Sequence, residues 1–208
     1  TCDKSTINNK NMIFIWKQFL SDTHLPGIIF HEDFIEKIKI KLNYDVDEKM
    51  FLNITSVRIP VVASFLDFWK KNIEEDTEEP EIEIGEIACF FKKWSENNFN
   101  GVEECYLLDL IKHFYNEVNI KDDKYLIHIK YKNWDRRQII YDCIDLYKHT
   151  MNTNNKYCSS LTDAYTYYLS YEKDKLAISK HYFETIFKEL YKDYIDDDDI
   201  INQSFFII

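Results

Sequence analysis

The sequence predicts a mainly α protein with one small β-hairpin: a helical bundle followed by winged-helix or helix-turn-helix-like units. Three observations point there. Apolar and aromatic residues recur at helical spacing along most of the chain. Turn formers are scarce, with 3 Gly and 3 Pro in 208 residues, whereas sandwiches and barrels need many turn signals. The hydrophobic period changes from 3.6 to 2 over residues 125–131, where Tyr125, Ile127, Ile129 and Tyr131 alternate with Leu126, His128 and Lys130.

Taken in order, residues 1–10 are polar and predicted to be loose. Met12, Ile15, Trp16, Phe19 and Leu20 form a first helical face, and Leu25-Pro26-Gly27 reads as a turn. A second helix starts near Glu32 with Phe34, Ile35, Ile38 and Leu42 inward. A third, opened at Thr55 or Ser56 or by Pro60 in its first turn, carries Val61, Phe65, Leu66, Trp69 and Ile73. These three are predicted to form a bundle over residues 1–73, with Trp16 and Trp69 as large core fillers.

The acidic run 74–81 reads as a solvated linker. Residues 82–135 are predicted to be a winged-helix-like unit: helices over 84–94 and 102–118, then a hairpin with Asn119-Ile120 as partner strand and 121–124 as turn. Residues 136–195 are predicted to be a helical unit. It has one helix over 136–150, a polar loop at 152–156 and a helix-turn-helix-like pair over 159–195.

That pair carries the clearest signals. Ser160-Leu-Thr-Asp163 fits a capping box. Ser179 is positioned to cap the second helix, with Ile178 and Phe183 as a hydrophobic staple. Ile178, Tyr182, Phe183, Ile186, Phe187, Leu190, Tyr191 and Tyr194 line one face. Residues 196–208 read as an acidic and apolar tail. One echo stands out: Ile87, Phe90, Phe91 and Trp94 are spaced as Ala164, Tyr167, Tyr168 and Tyr171, which suggests two helix-pair units of one kind.

The formal charge is −11, but six acids fall in 74–81 and four in 196–199, so the rest of the chain is close to neutral. The glycines are scattered, which leaves no P-loop, no dinucleotide fingerprint and no nucleophile elbow, and argues against nucleotide hydrolysis in this segment. The six His show no metal-binding spacing, and neither a metal nor a cofactor is predicted. Asp196–Asp199 and Asp122-Asp123 read as turn chemistry. Five widely spaced Cys without a C-x-x-C pair fit a reducing, cytoplasmic compartment. No apolar run is long enough to span a membrane. The start at Thr1 suggests a segment of a longer protein.

The functional candidates are therefore cationic. Ser179, Lys180 and His181 open the second helix of the 159–195 pair, the end that meets phosphates or base edges in a helix-turn-helix. Lys188 and Lys192 share its polar side. Lys130 and Lys132 lie on the predicted wing, with Arg136 and Arg137 just beyond. Co-located on one surface, they would neutralise phosphates. The sequence thus predicts a non-catalytic module with DNA or neighbouring subunits as partners. The alternative is a helical protein–protein adaptor whose exposed aromatics are anchors.

Several segments together resemble the C-terminal region of giant-virus, mimivirus-like helicase-primase proteins. They are Phe14-Ile-Trp-Lys-Gln-Phe-Leu20, Asn53-Ile-Thr-Ser56 leading to Phe65-Leu-Asp-Phe-Trp69, Glu81-Ile-Glu-Ile-Gly-Glu-Ile87 with Phe91-Lys-Lys-Trp94, and Ser179-Lys-x-Tyr-Phe183. These are packing and capping motifs that span most of the chain. The resemblance implies an accessory region of a viral DNA-replication protein, with primase and ATPase chemistry upstream, in the host cytoplasm or viral factory. On the adaptor reading, the same setting implies a viral scaffold in translation initiation or assembly.

Overall fold

The computed structural model describes residues 5–154, 159–171 and 176–207. Parts of the predicted loose N-terminus and of the 152–156 loop lie outside the described residues. The described chain is mainly helical, with eight α-helices and short antiparallel strands. It divides into two compact units. One is 1–71 with 94–118, and the other is 72–93 with 119–208. The first division lies beside the predicted edge at 73, but residues 94–118 belong to the first unit.

One element order recurs three times. It first runs as β1 (Thr6–Asn8), α1 (Asn9–Asp22), α2 (His31–Lys39), β2 (Tyr44–Asp45) and β3 (Met50–Leu52), with strand order β1-β3-β2. After α3 (Ile59–Asn72) and β4 (Ile73–Glu75), it returns as β5 (Glu81–Glu83), α4 (Ile84–Trp94), α5 (Glu104–Phe114), β6 (Ile120–Lys121) and β7 (Tyr125–Ile127), with order β5-β7-β6. After β8 (Ile129–Tyr131) and α6 (Arg136–Thr153), it returns as β9 (Ser159–Ser160), α7 (Leu161–Tyr171), α8 (Lys180–Tyr191) and β10 (Ile200–Ile201), with Ile195 bridging to Ile201.

The register repeats as well. Phe51 pairs with Ile7 and Tyr44, Leu126 with Ile82 and Ile120, and Ile201 with Ser159 and Ile195. Phe51, Leu126 and Ile201 are buried and follow one another at intervals of 75 residues. The predicted pure helical bundle over 1–73 is therefore corrected: its first part carries a three-stranded sheet. Strands of three residues or fewer give too little alternation to be read from sequence.

Helix signals were legible. Asp163 and Ser160 form the capping box in both directions: Ser160 N–H donates to Asp163 Oδ2 (2.9 Å) and Asp163 N–H to Ser160 Oγ (3.1 Å). Ser179 Oγ accepts from Tyr182 N–H at 3.3 Å. Ile178 and Phe183 are buried in one core with Tyr182, Ile186 and Phe187, as the helical stripe predicts. Helix α5 is shorter than the predicted 102–118, and Leu42 is exposed.

The predicted single alternating strand is two strands. They meet at His128, whose backbone is left-handed (φ 58°). This break shifts the alternation, so Leu126 and Ile129 are both buried, whereas Tyr125, Ile127 and Tyr131 are half-buried. The hairpin turn itself is as predicted. Asp122 and Asp123 both have positive φ (54° and 51°), the type I′ conformation that Asp tolerates.

Two segments predicted to be solvated are structural. The acidic run is β4, a turn and β5. Strand β4 pairs with β8 and β5 with β7, so residues 74–81 are not a linker. Residues 196–208 are not a tail: Ile201, Phe205 and Phe206 are buried in the core of the second unit, between α6 and α8 residues such as Tyr147 and Phe187. Asp196 Oδ1 accepts from the N–H of Asp198 (3.0 Å) and Ile200 (2.8 Å), so the aspartate run is a tight turn feeding β10.

Candidate functional site

The predicted cationic residues do not form one positive face. Arg136, predicted to reach phosphate, is 1% exposed. It opens α6, where Asp135 is the N-cap, and its guanidinium turns inward. Nη2 donates to Glu79 Oε2 (2.9 Å) and to the Glu81 carbonyl (2.5 Å), and Nη1 to Glu86 Oε2 (3.3 Å). The guanidinium lies 3.7 Å from the Tyr182 ring centroid, a desolvated cation–π contact.

Around it, Tyr182 Oη donates to Glu79 Oε2 (2.6 Å), and Ser179 N–H to Glu86 Oε1 (3.0 Å). Burial is the largest influence on Glu86 and pushes its carboxyl up; the Arg136 charge opposes this. Burial likewise raises the Tyr182 phenol. This cluster ties β5, α4, α6 and α8 together within the second unit. A buried cation cannot serve as a phosphate contact, because breaking its pairs would strand the carboxylates.

Most of the remaining candidates stay at the surface but face acids. Lys130 Nζ meets Asp76 (2.7 Å) and Glu74 (3.3 Å). The Asp76 hydrogen bond holds Lys130 above its ordinary value, and Lys130 holds Asp76 below its own. Arg137 makes a fork with both Glu189 oxygens at 3.1 Å, which raises its pKa. Lys188 pairs with Asp199 (2.6 Å), Lys180 with Glu184 (3.5 Å), and His181 Nε2 lies 3.4 Å from Glu81 Oε1. Lys132 and Lys192 are exposed. Ser179 spends its hydroxyl on the α8 cap.

The structure divides these residues between places. Lys130, Lys132 and Arg137 line one concavity of about 420 Å³ with Asp76, Glu78 and Asp135. Ser179, Lys180 and His181 line another with Glu83, Glu184 and Lys124. Each is mixed in sign. Sequence reasoning missed the acidic partners because it counted 74–81 as one solvated block. The available signal was the strand-like alternation Glu81-Ile-Glu-Ile84, which marks a strand with one apolar face.

A different surface stands out in the first unit. Met12, Ile15, Trp16 and Phe19 of α1 and Phe34 and Ile38 of α2 line an almost wholly apolar groove of about 340 Å³. Trp16 stacks on Phe34, with ring centroids 4.4 Å apart. Trp16 is half-buried, packed against the first unit's core and walling this groove; Trp69 is buried against Tyr115 (4.7 Å). Between the helices, Ile28 and Phe30 are 81% and 82% exposed.

Among the described residues, no group of three or more His, Cys, Asp or Glu is placed to hold a metal ion, and no helix is long and apolar enough to cross a membrane. Comparison with family models, curated proteins and solved structures finds no match. Function is therefore read from this chain's own geometry.

Proposed function

We propose that this chain is a non-catalytic protein-docking module built from three tandem winged-helix-like units, and that it binds neighbouring subunits or a protein partner in preference to nucleic acid. The carrying observation is the pairing of its cations. Arg136 is buried, and Lys130, Arg137, Lys180 and Lys188 each meet a carboxylate within 3.5 Å. Nucleic-acid binding draws its affinity from cations free to displace counterions at phosphates.

The strand–helix–helix–hairpin order with the first strand beside the last supports the winged-helix-like reading. Two of the three hairpin tips support the choice of partner: one carries Asp45, Asp47 and Glu48 and another Asp196–Asp199, while at the third Lys121 and Lys124 balance Asp122 and Asp123. Acidic tips repel a phosphate backbone. In contrast, large exposed apolar residues gather on the first repeat, at Phe19, Leu25, Ile28, Phe30, Ile40, Leu42 and Val46, the feature that marks protein interaction sites. A viral replication setting rests on the resemblance of packing motifs alone.

The test is capture from an extract of the cells that make the protein, with nuclease treatment. Bound proteins are expected to survive nuclease and to be lost with the Ile28→Asp/Phe30→Asp variant. Bound material that vanishes with nuclease and ignores the variant would refute the reading.

A further inference from the structure

The three repeats show what the apolar groove of the first one is shaped to receive. The α1 stripe Met12, Ile15, Trp16 and Phe19 has the spacing of Ala164, Tyr167, Tyr168 and Tyr171 on α7. Each stripe begins five residues after the buried centre of its leading strand, Ile7 or Ser159. The aromatic partner repeats too: Trp16 stacks on Phe34 of α2, and Tyr168 stacks on Phe183 of α8.

In the third repeat the middle of that stripe is covered: Ala164 and Tyr168 are buried, whereas Tyr171 at its end is 49% exposed. Helix α6 lies over it. The Tyr147 and Tyr167 rings are 5.1 Å apart, and the Tyr167 and Thr150 hydroxyls are within hydrogen-bond distance at 3.0 Å. Ile140, Cys143, Ile144 and Tyr147, at spacing i, i+3, i+4 and i+7, share one buried cluster with Ala164 and Tyr168. In the first repeat the same stripe borders the open groove, and Trp16, at the position of the buried Tyr168, is half-buried.

We propose that the groove between α1 and α2 is the docking site for an amphipathic α-helix of a partner protein. That helix presents apolar residues at i, i+3, i+4 and i+7 and lies on α1 as α6 lies on α7. Helix-in-groove recognition reads such anchors, and the stripe spans about two turns at roughly 1.5 Å per residue. Four apolar side chains entering an apolar groove give an affinity set by burial, with little dependence on salt. This inference rests on the protein-docking reading and names the kind of partner that reading leaves open.

The probe is a displayed library of four-turn helices, randomised at i, i+3, i+4 and i+7 on an Ala/Glu/Lys host, selected on the whole chain. Large apolar and aromatic residues are expected at all four positions. The selected peptides are expected to bind at least tenfold more weakly to the Phe19→Asp variant and unchanged to Val57→Asp, a control at an exposed position outside the groove. Phe19 is exposed enough for its variant to fold, which circular dichroism checks.

No enrichment, or enrichment indifferent to Phe19→Asp, would overturn the helix proposal. A dimer in sedimentation that Phe19→Asp dissolves would overturn it in favour of a second copy of this chain. Neither result removes the protein-docking reading, which falls if captured material depends on nucleic acid.

Discussion

Replacing Arg136 with Met is expected to lower stability by about 3–5 kcal/mol, read as a lower denaturation midpoint with an unchanged slope. The guanidinium is the buried counter-charge to Glu79 and Glu86 and also holds the Glu81 carbonyl. Removing it leaves those carboxylates desolvated, and the cost falls on the strand, helix and cap they join. The loss depends on pH with a definite sign. Burial raises the Glu86 carboxyl above its ordinary 4.5. Its contribution is thus fully present below that value and is lost as pH rises through the folded-state pKa. Without Arg136 this pKa rises further. The variant should therefore be closest to wild type in mild acid and weakest near neutrality, and adding Glu86→Gln should recover part of the loss near neutrality.

The second large effect is at the C-terminus. Phe205→Ala is expected to cost about 3–5 kcal/mol, the usual range for emptying a buried aromatic site. Phe205 is buried among Phe187, Tyr191 and Phe206, with ring centroids 5.5, 5.0 and 5.1 Å away, and Lys148 Nζ lies 4.3 Å from its ring. Ending the chain after Asp199 removes Ile201, Phe205 and Phe206 together, and with them the edge pairing of β9. The second unit is then expected to lose its cooperative melting transition. A truncated chain that melts like wild type would show that this segment is peripheral.

The difference between what was legible and what was not follows from range. Helices were legible because their determinants are local: the Ser160–Asp163 box and the Ser179 cap form within three residues. The stripes that face the core were legible for the same reason. The third repeat's helix pair and the Asp122-Asp123 turn needed no distant information. The threefold architecture was half visible, as the echo between residues 87–94 and 164–171. Its first copy was missed because Met12, Ile15, Trp16 and Phe19 share spacing with the others but not residue type.

The cationic surface misled because a lysine's partner lies far away in sequence. Lys130 meets Glu74 and Asp76, Arg136 meets Glu79, and Arg137 meets Glu189, each more than 50 residues off. Composition recorded the acids and the bases as separate blocks, whereas folding interleaves them. A run of six acids looks like a solvated linker until folding places Glu79 and Glu81 inside, beside Arg136. His128 is a similar case. A single left-handed residue inverts the faces of the strand, and no neighbouring Gly announces it.

The central claim is that this surface docks protein and does not grip nucleic acid. Titration of the whole chain into labelled single- and double-stranded DNA, from roughly 50 to 200 mM salt, tests it most directly. The expected result is no saturable binding across that range, and no change on reversing Lys130, Lys180 and Lys188 to Glu. Saturable binding that falls steeply with salt and is weakened by those reversals would contradict it.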